Sequence, residues 1–183
     1  MTARCSVFVA ASLDGFIARP DGGIDWLDRV NAGAPPGEDF GFAQFIASVD
    51  ALVMGRHTFE QALTFGEWPY GAMPVVVLSH SLRRLPAGVP ATVSVSSESP
   101  ADLVLRLTAE GARHLYIDGG LTIQSFLAAG LIDELTVTVV PVLLGAGKPL
   151  FGPLPADIPL VHVATHVYDC GLVQHKYRVE KGT

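Results

Sequence analysis

Residues 116–127 constrain the fold of this chain most, because an apolar strand there passes through two glycines directly into a helix. The apolar run 114–117 leads into Gly119 and Gly120, and apolar residues then recur at spacings that share one helical face. Such a junction exposes backbone N–H groups at the positive end of a helix dipole, which suits a diphosphate. Glycine turns of this kind are also common without a ligand, so the junction alone leaves its function open.

Two further strand ends carry a similar signal. A buried strand over residues 51–54 is followed by Gly55 and Arg56, where a second helix opens, and a third strand over residues 73–78 ends at Ser79. Backbone donors beside a guanidinium group can hold a phosphate. Because ligands of parallel sheets bind at the carboxyl ends of the strands, the three junctions predict a dinucleotide site on one rim. The sequence contains no Gly-x-Gly-x-x-Gly, so this is not the usual Rossmann fingerprint.

The order of the predicted elements indicates the fold class. Strands alternate with helices over about two thirds of the chain, and two strands at residues 161–167 and 171–179 then form a hairpin. This pattern predicts an α/β protein with a mostly parallel sheet, helices on both faces and an antiparallel edge. The length favours a single domain over residues 1–183.

Composition narrows the possible functions. The 183 residues carry a net charge of -6 and have a pI of about 5.4, which argues against a nucleic-acid-binding surface. No apolar run reaches the ~20 residues of a membrane span, and the N-terminus leads into a strand rather than a signal peptide. We therefore expect a cytoplasmic protein. Cys5 and Cys170 are interpreted as core thiols, and no zinc-ligand spacing occurs.

Four segments carry a resemblance to a known family, and they are residues 12–18, 53–60, 75–79 and 117–127. They contain the motifs Ser-Leu-Asp-Gly, Gly-Arg-His-Thr and Asp-Gly-Gly in a characteristic order and spacing. Over nearly its whole length the chain resembles the dihydrofolate-reductase-like superfamily. Residues 130–151 are typical of the branch that contains the riboflavin-biosynthesis reductase, the C-terminal domain of the bifunctional deaminase-reductase. The resemblance implies a three-layer α/β/α fold with a mostly parallel mixed sheet and a C-terminal antiparallel hairpin.

The resemblance implies NADPH as hydride donor. It places Arg56 near the 2′-phosphate, Gly119 and Gly120 at the diphosphate, and Ala10 and Ile17 at the nicotinamide. The complete set of implied cofactor-binding residues is Ala10, Ile17, Gly55, Arg56, Thr58, Leu78, Ser79, His80, Gly119, Gly120, Leu121 and Thr122.

The resemblance also implies substrate-side residues. Asp39 matches a carboxylate that holds the substrate ring and supports its protonation, and Thr138 matches the threonine beside it. Trp26 matches a loop tryptophan that lies over the substrate, and we expect Phe42 to form a wall of the same pocket. Hydride transfer to a C=N bond needs a proton at nitrogen, so a carboxylate with a polar relay suits this chemistry. Asp39 can instead cap the following helix, and Trp26 can instead pack on the core from a surface loop over residues 19–27.

The substrate stays open. Phe16 stands where riboflavin-type enzymes usually have a basic residue, and their Asp-x-Pro element after Gly-Arg-x-Thr is missing. We expect an NADPH-dependent reductase of a small pterin- or pyrimidine-like heterocycle. The alternatives are the riboflavin-pathway 5-amino-6-(5-phosphoribosylamino)uracil reductase and a non-catalytic nucleotide-binding module of the same fold. We also expect a homodimer through the apolar C-terminal hairpin, with no metal, nucleic-acid or membrane partner.

Overall fold

The computed structural model describes residues 2–181, which form ten strands and five α-helices. The strands are β1 Arg4–Ser12, β2 Phe16–Ala18, β3 Ala51–Gly55, β4 Val75–Leu78, β5 Val93–Ser96, β6 His114–Asp118, β7 Glu134–Val140, β8 Lys148–Pro149, β9 Leu160–Val167 and β10 Val173–Val179. The helices are α1 Asp25–Asn31, α2 Phe42–Ile46, α3 Arg56–Ala62, α4 Pro100–Ala109 and α5 Gly120–Ala128, and a 3₁₀ turn at Leu63–Phe65 follows α3.

Eight of the strands form one sheet in the order β5-β4-β3-β6-β1-β7-β10-β9. The five neighbouring pairs from β5 to β7 are parallel, whereas β10 is antiparallel to both β7 and β9. The short strands β2 and β8 pair with each other in a separate antiparallel ladder. The predicted mostly parallel sheet with a C-terminal antiparallel hairpin is therefore confirmed.

The central strands are buried on both faces of the sheet. In β3, Leu52 and Met54 belong to a hydrophobic cluster with residues of α2 and α3, while Ala51 and Val53 belong to a second cluster with α4 and α5. Successive residues of a strand point to opposite faces, so helices cover the sheet on both sides. This arrangement confirms the expected three-layer α/β/α architecture.

The loop predicted over residues 19–27 is partly helical. Asp25 lies in the first turn of α1, where a carboxylate suits the helix dipole. It also accepts two hydrogen bonds of 2.6 and 2.9 Å from Arg19, which tie the preceding loop to this helix. Trp26 is only 2% exposed and packs with Val140, so its side chain belongs to the core. Helix α1 was missed because Pro20 and the glycines of this segment favour a loop.

Several element ends also differ from the expected ones. Strand β4 starts at Val75 rather than at residue 73, because Pro74 has no N–H for the ladder. The run 131–144 contributes only the seven residues of β7 to the sheet. Helix α2 has five residues and begins after Asp39, which lies in the preceding turn. Apolar patterns locate elements well and their ends poorly.

Strand β9 is the outer strand of the sheet. Its apolar side chains are well exposed, with Leu160 at 44%, Val163 at 53% and Val167 at 67%. Apolar edge strands are prone to pair with a second chain. Homodimerisation through this hairpin stays a prediction, and sedimentation at micromolar concentration would test it. The longest helix within residues 2–181 has ten residues, and none could cross a bilayer.

A buried histidine joins the amino ends of β1 and β6. His114 Nε2 lies 2.7 Å from Ser6 Oγ, and His114 Nδ1 lies 2.8 Å from the carbonyl oxygen of Ser48. Asp50 accepts hydrogen bonds from the backbone N–H groups of His114 and Arg113, at 2.9 and 2.7 Å. A neutral ring fits the Ser48 and Ser6 contacts if Nδ1–H donates to Ser48 and Nε2 accepts from Ser6, and the Arg4 guanidinium, 3.0 Å from Nδ1, disfavours a charged ring. Burial lowers the pKa of His114 below its usual value.

We predict that this histidine makes stability depend on pH. Below pH ~6.5 the unfolded ring binds a proton, whereas the folded ring stays neutral until its lower pKa is reached. The contribution of His114 is therefore full above pH ~6.5 and is lost as the pH falls, by up to about 1.4 kcal/mol per pH unit. Urea unfolding between pH 5 and 7.5 should show this loss in the wild type and not in His114→Gln. His166→Gln, which removes an exposed ring outside this cluster, is the control. The same slope in all three proteins would contradict the prediction.

Candidate active site

A cleft of about 910 Å³ opens at the carboxyl ends of the central strands. Gly55, Leu78 and Asp118, the last residues of β3, β4 and β6, all line it. These strands are neighbours in the parallel part of the sheet, so their ends meet on one rim. Loop residues before α1 and the β8 segment contribute further walls. The three predicted strand-end junctions therefore do lie together.

Two of these junctions face each other at close range. Thr58 of α3 packs against Gly119, and a Cβ on Gly119 would overlap Thr58 Oγ1. Conversely, a Cβ on Gly55 would lie 2.8 Å from Thr122 Oγ1 of α5. Gly119 also has a φ of +89°, which side chains disfavour. Both glycines are thus needed for the starts of α3 and α5 to approach each other.

The start of α5 supplies backbone donors to this cleft. The first bond of the helix runs from Ile123 N–H to the carbonyl oxygen of Gly119 at 2.8 Å. The N–H groups of the preceding first turn, from Gly120 to Thr122, have no partner within the helix pattern. Gly120, Leu121 and Thr122 all line the cleft. This turn can therefore bind an anion at the positive end of the helix.

All twelve predicted cofactor-binding residues line this one cleft. Arg56 is partly exposed on its wall, with its Nε 3.7 Å from Glu60 Oε1, so its guanidinium group is only loosely paired. Leu78, Ser79 and His80 stand at the end of β4. The set comprises Ala10, Ile17, Gly55, Arg56, Thr58, Leu78, Ser79, His80, Gly119, Gly120, Leu121 and Thr122. Their individual contacts with a cofactor stay predictions.

Asp118 is a titratable group of the cleft that the sequence analysis did not select. Its Oδ1 accepts a hydrogen bond of 2.8 Å from the N–H of Gly119. The residue as a whole is only partly buried, but loss of solvent around its carboxyl raises the pKa to about 6, against the opposing effect of the Gly119 N–H and the Tyr116 hydroxyl. Tyr70 and Phe8 line the cleft as well. In the sequence, the position of Asp118 at a strand end, directly before the two glycines, was the signal that could have identified it.

The predicted acid Asp39 lies outside the lining of the cleft. It is exposed, and its carboxylate caps the start of α2 by accepting hydrogen bonds from Gly41 N–H at 2.9 Å and Ala43 N–H at 2.8 Å. Capping was the alternative role given by the sequence. These contacts are explained by capping alone, and a catalytic role for Asp39 stays a prediction.

The other substrate-side residues are also part of the surrounding structure rather than of the lining. Thr138 is buried and accepts a hydrogen bond of 2.9 Å from Gln174 Nε2, which also donates to the carbonyl oxygen of Phe40 at 3.0 Å. Phe42 packs against Phe8, with ring centroids 5.7 Å apart, and so supports the cleft wall from behind. Trp26 belongs to the core described above.

A family model and a relative in Bacillus subtilis both match most of this chain. The family model of the RibD C-terminal domain matches residues 5–173. The uncharacterized protein YwjB of Bacillus subtilis is 32% identical over 162 residues, which cover 87% of this chain and 89% of YwjB.

Solved structures resemble the chain over its full length. The structure of a putative riboflavin biosynthesis protein from Shewanella sp. PV-4 is 41% identical, with a TM-score of 0.92 over 99% of this chain and 100% of that protein. Dihydrofolate reductase from Enterococcus faecalis, in a complex with NADP(H), has a TM-score of 0.63 over 99% of this chain and 100% of the reductase. At 17% identity this second likeness shows the fold alone.

The close approach at Gly119 yields a stability prediction. Gly119→Ala should lower the free energy of unfolding by about 1–2 kcal/mol through its left-handed backbone, and further through the overlap with Thr58. Gly111→Ala is a matched control, because Gly111 has a φ of +104° and nothing within 4 Å of an added Cβ. Urea unfolding of both variants measures the difference. Equal losses would contradict the tight packing of the two junctions.

Proposed function

Since the chain belongs to the family of the RibD C-terminal domain, we propose that it is an NADPH-dependent oxidoreductase. Its substrate would be a small pterin- or pyrimidine-like heterocycle, reduced by hydride transfer. The supporting observation is the single cleft, which joins the start of α5, the Gly55–Thr58 segment and the carboxyl Asp118. Family membership supports a reductase of the riboflavin-pathway type. The cofactor and the substrate class are our proposal.

The residues of the cleft fit a dinucleotide. Gly119 and Gly55 leave space where any side chain would collide with Thr58 or Thr122. The N–H groups of the first turn of α5 would hold the diphosphate, and Arg56 would pair with the 2′-phosphate that distinguishes NADPH from NADH. When bound, NADPH would supply the hydride, and Ala10 and Ile17 would border its nicotinamide ring.

We propose that Asp118 holds the proton that the substrate nitrogen receives. With a pKa of about 6, the carboxyl is protonated in about a tenth of the molecules at pH 7, far more often than an ordinary aspartate. It lines the same cleft as the aromatic residues Phe8, Phe65 and Tyr70. Such walls with one polar group suit a flat ring whose orientation must be fixed. Asp39 is the competing candidate, and its exposed capping position favours it less.

Two other functions are compatible with the same fold. The riboflavin-pathway 5-amino-6-(5-phosphoribosylamino)uracil reductase is supported by the family and by the name of the Shewanella protein. Phe16, which stands on β2 where a basic residue is usual, argues against a substrate with that phosphorylated chain. A non-catalytic nucleotide-binding module would retain the dinucleotide groove and need no acid.

The cofactor proposal predicts selective nucleotide binding. Fluorescence titration should give micromolar affinity for NADPH. Arg56→Ala should weaken the affinity for NADPH by about tenfold or more and change the affinity for NADH little, because only NADPH carries the 2′-phosphate. Arg83→Ala, at an exposed arginine outside the cleft lining, is the control. If the wild type binds neither nucleotide, the enzyme proposal fails.

The proton donor is tested by a pair of variants. Asp118→Asn should reduce turnover by ~10²–10⁴ while NADPH affinity holds, and Asp39→Asn should stay close to the wild type. The wild-type rate should fall as the pH rises above about 6, because the protonated form of Asp118 is the active one. The assay is NADPH oxidation with the first pterin or pyrimidine that the wild type reduces. A loss confined to Asp39→Asn would assign the role to Asp39 instead.

A further inference from the structure

One cation of the cleft has no assigned partner. The chain has three lysines, of which Lys176 pairs with Glu134 at 3.1 Å and Lys181 pairs with Asp133 at 2.6 Å. Lys148 is half-buried and lines the cleft, and within residues 2–181 its ammonium group has neither a carboxylate partner nor a hydrogen bond. Its positive charge is therefore available to an anion that enters the cleft.

The β2–β8 ladder fixes Lys148 in this place. Lys148 pairs with Ala18, and the preceding Gly147 sits so close to the carbonyl oxygen of Ala18 that a Cβ there would overlap it. On the other side, a Cβ on Gly120 would lie 2.8 Å from the carbonyl oxygen of Pro149. Because these two glycines have no side chain, the β8 segment can pack closely against β2 and against the start of α5.

The side chain of Lys148 extends from this anchor to the loop before α1. Its Nζ lies 3.2 Å from the position that a Cβ on Gly22 would occupy, and Gln61 Oε1 lies 3.9 Å from the same point. Gln61 is on α3, one helical turn beyond Thr58, which packs against Gly119. The ammonium group therefore lies against the loop before α1, on the side that faces Gln61 of α3, and the neighbouring Pro149 packs against Gly120 at the start of α5.

Other side chains that line this cleft have carboxylate neighbours. Arg56 Nε lies 3.7 Å from Glu60 Oε1, and His57 Nδ1 lies 3.2 Å from Glu60 Oε2. Glu98, at the end of the cleft near β5, is held by Arg106 at 2.9 Å. Lys148 is the one lysine among the described residues that line the cleft.

We infer that Lys148 binds a phosphoryl oxygen of the dinucleotide diphosphate, opposite the backbone donors of α5. This inference rests on the proposed function. The helix start supplies N–H groups from one side, and the ammonium group closes the site from the other, so the diphosphate is held between β8 and α5. Because NADPH and NADH share the diphosphate, Lys148 contributes equally to both, whereas Arg56 contributes to NADPH alone. An anionic group on the substrate would offer the same chemistry, and binding measured without substrate separates the two.

The test is a fluorescence titration of NADPH and NADH without any substrate. Lys148→Met removes the charge and nearly keeps the length of the side chain. It should weaken the affinity for both nucleotides by about tenfold or more. Lys148→Arg should retain most of the affinity. Lys176→Met, which removes a lysine outside the cleft, should bind both nucleotides like the wild type. Thermal unfolding of each variant verifies that the fold is kept.

The outcomes are distinct. Equal weakening of NADPH and NADH in Lys148→Met, with restoration in Lys148→Arg, supports the diphosphate contact. Unchanged affinity in Lys148→Met, while the wild type binds NADPH, overturns this inference and leaves the proposed function intact. Weakening of NADPH alone also overturns it, because the lysine would then meet the 2′-phosphate. A wild type that binds neither nucleotide overturns the proposed function and this inference together.

Discussion

The close contact between the starts of α3 and α5 is the constraint on which the cleft depends. Thr58 packs against Gly119, and Thr122 packs against Gly55, so each helix fills the space that the missing side chain of the other leaves. Parallel pairing of β3 with β6 brings the two strand ends to the same level, with Met54 opposite Asp118. The packing of four residues thus turns two ordinary strand–helix junctions into one binding surface.

The same contact explains the chemistry of Asp118. It is the last residue of β6 and stands directly before Gly119, whose φ is positive, and its carboxyl lines the cleft and is shielded from solvent. One N–H of the same turn stabilises its charged form, and burial outweighs that effect. The turn at residues 118–120 therefore places the raised-pKa carboxyl directly beside the proposed anion site. A reductase needs both functions close together, one for its cofactor and one for the proton.

Sequence patterns predicted the layers of the fold and the shared rim, because buried β-branched strands and glycine junctions leave a strong periodic signal. They did not predict helix α1, since Pro20 and the glycines just before it favour a loop and the helix buries Trp26. They also did not single out Asp118 and Lys148, to which we assign the proposed proton and diphosphate roles. The raised pKa of Asp118 arises from burial in three dimensions. The sequence cannot show which of the three lysines has a carboxylate partner, and in the structure Lys176 and Lys181 each have one.

We propose that the facing helix starts bind the dinucleotide, and amide hydrogen exchange with and without NADPH tests this. We expect NADPH to slow exchange at the N–H groups of residues 55–58 and 119–122. We expect no change around the second cavity of about 690 Å³, which residues 155–159 line at the opposite end of α5. Protection at residues 155–159 with none at the two helix starts would show that the dinucleotide binds elsewhere.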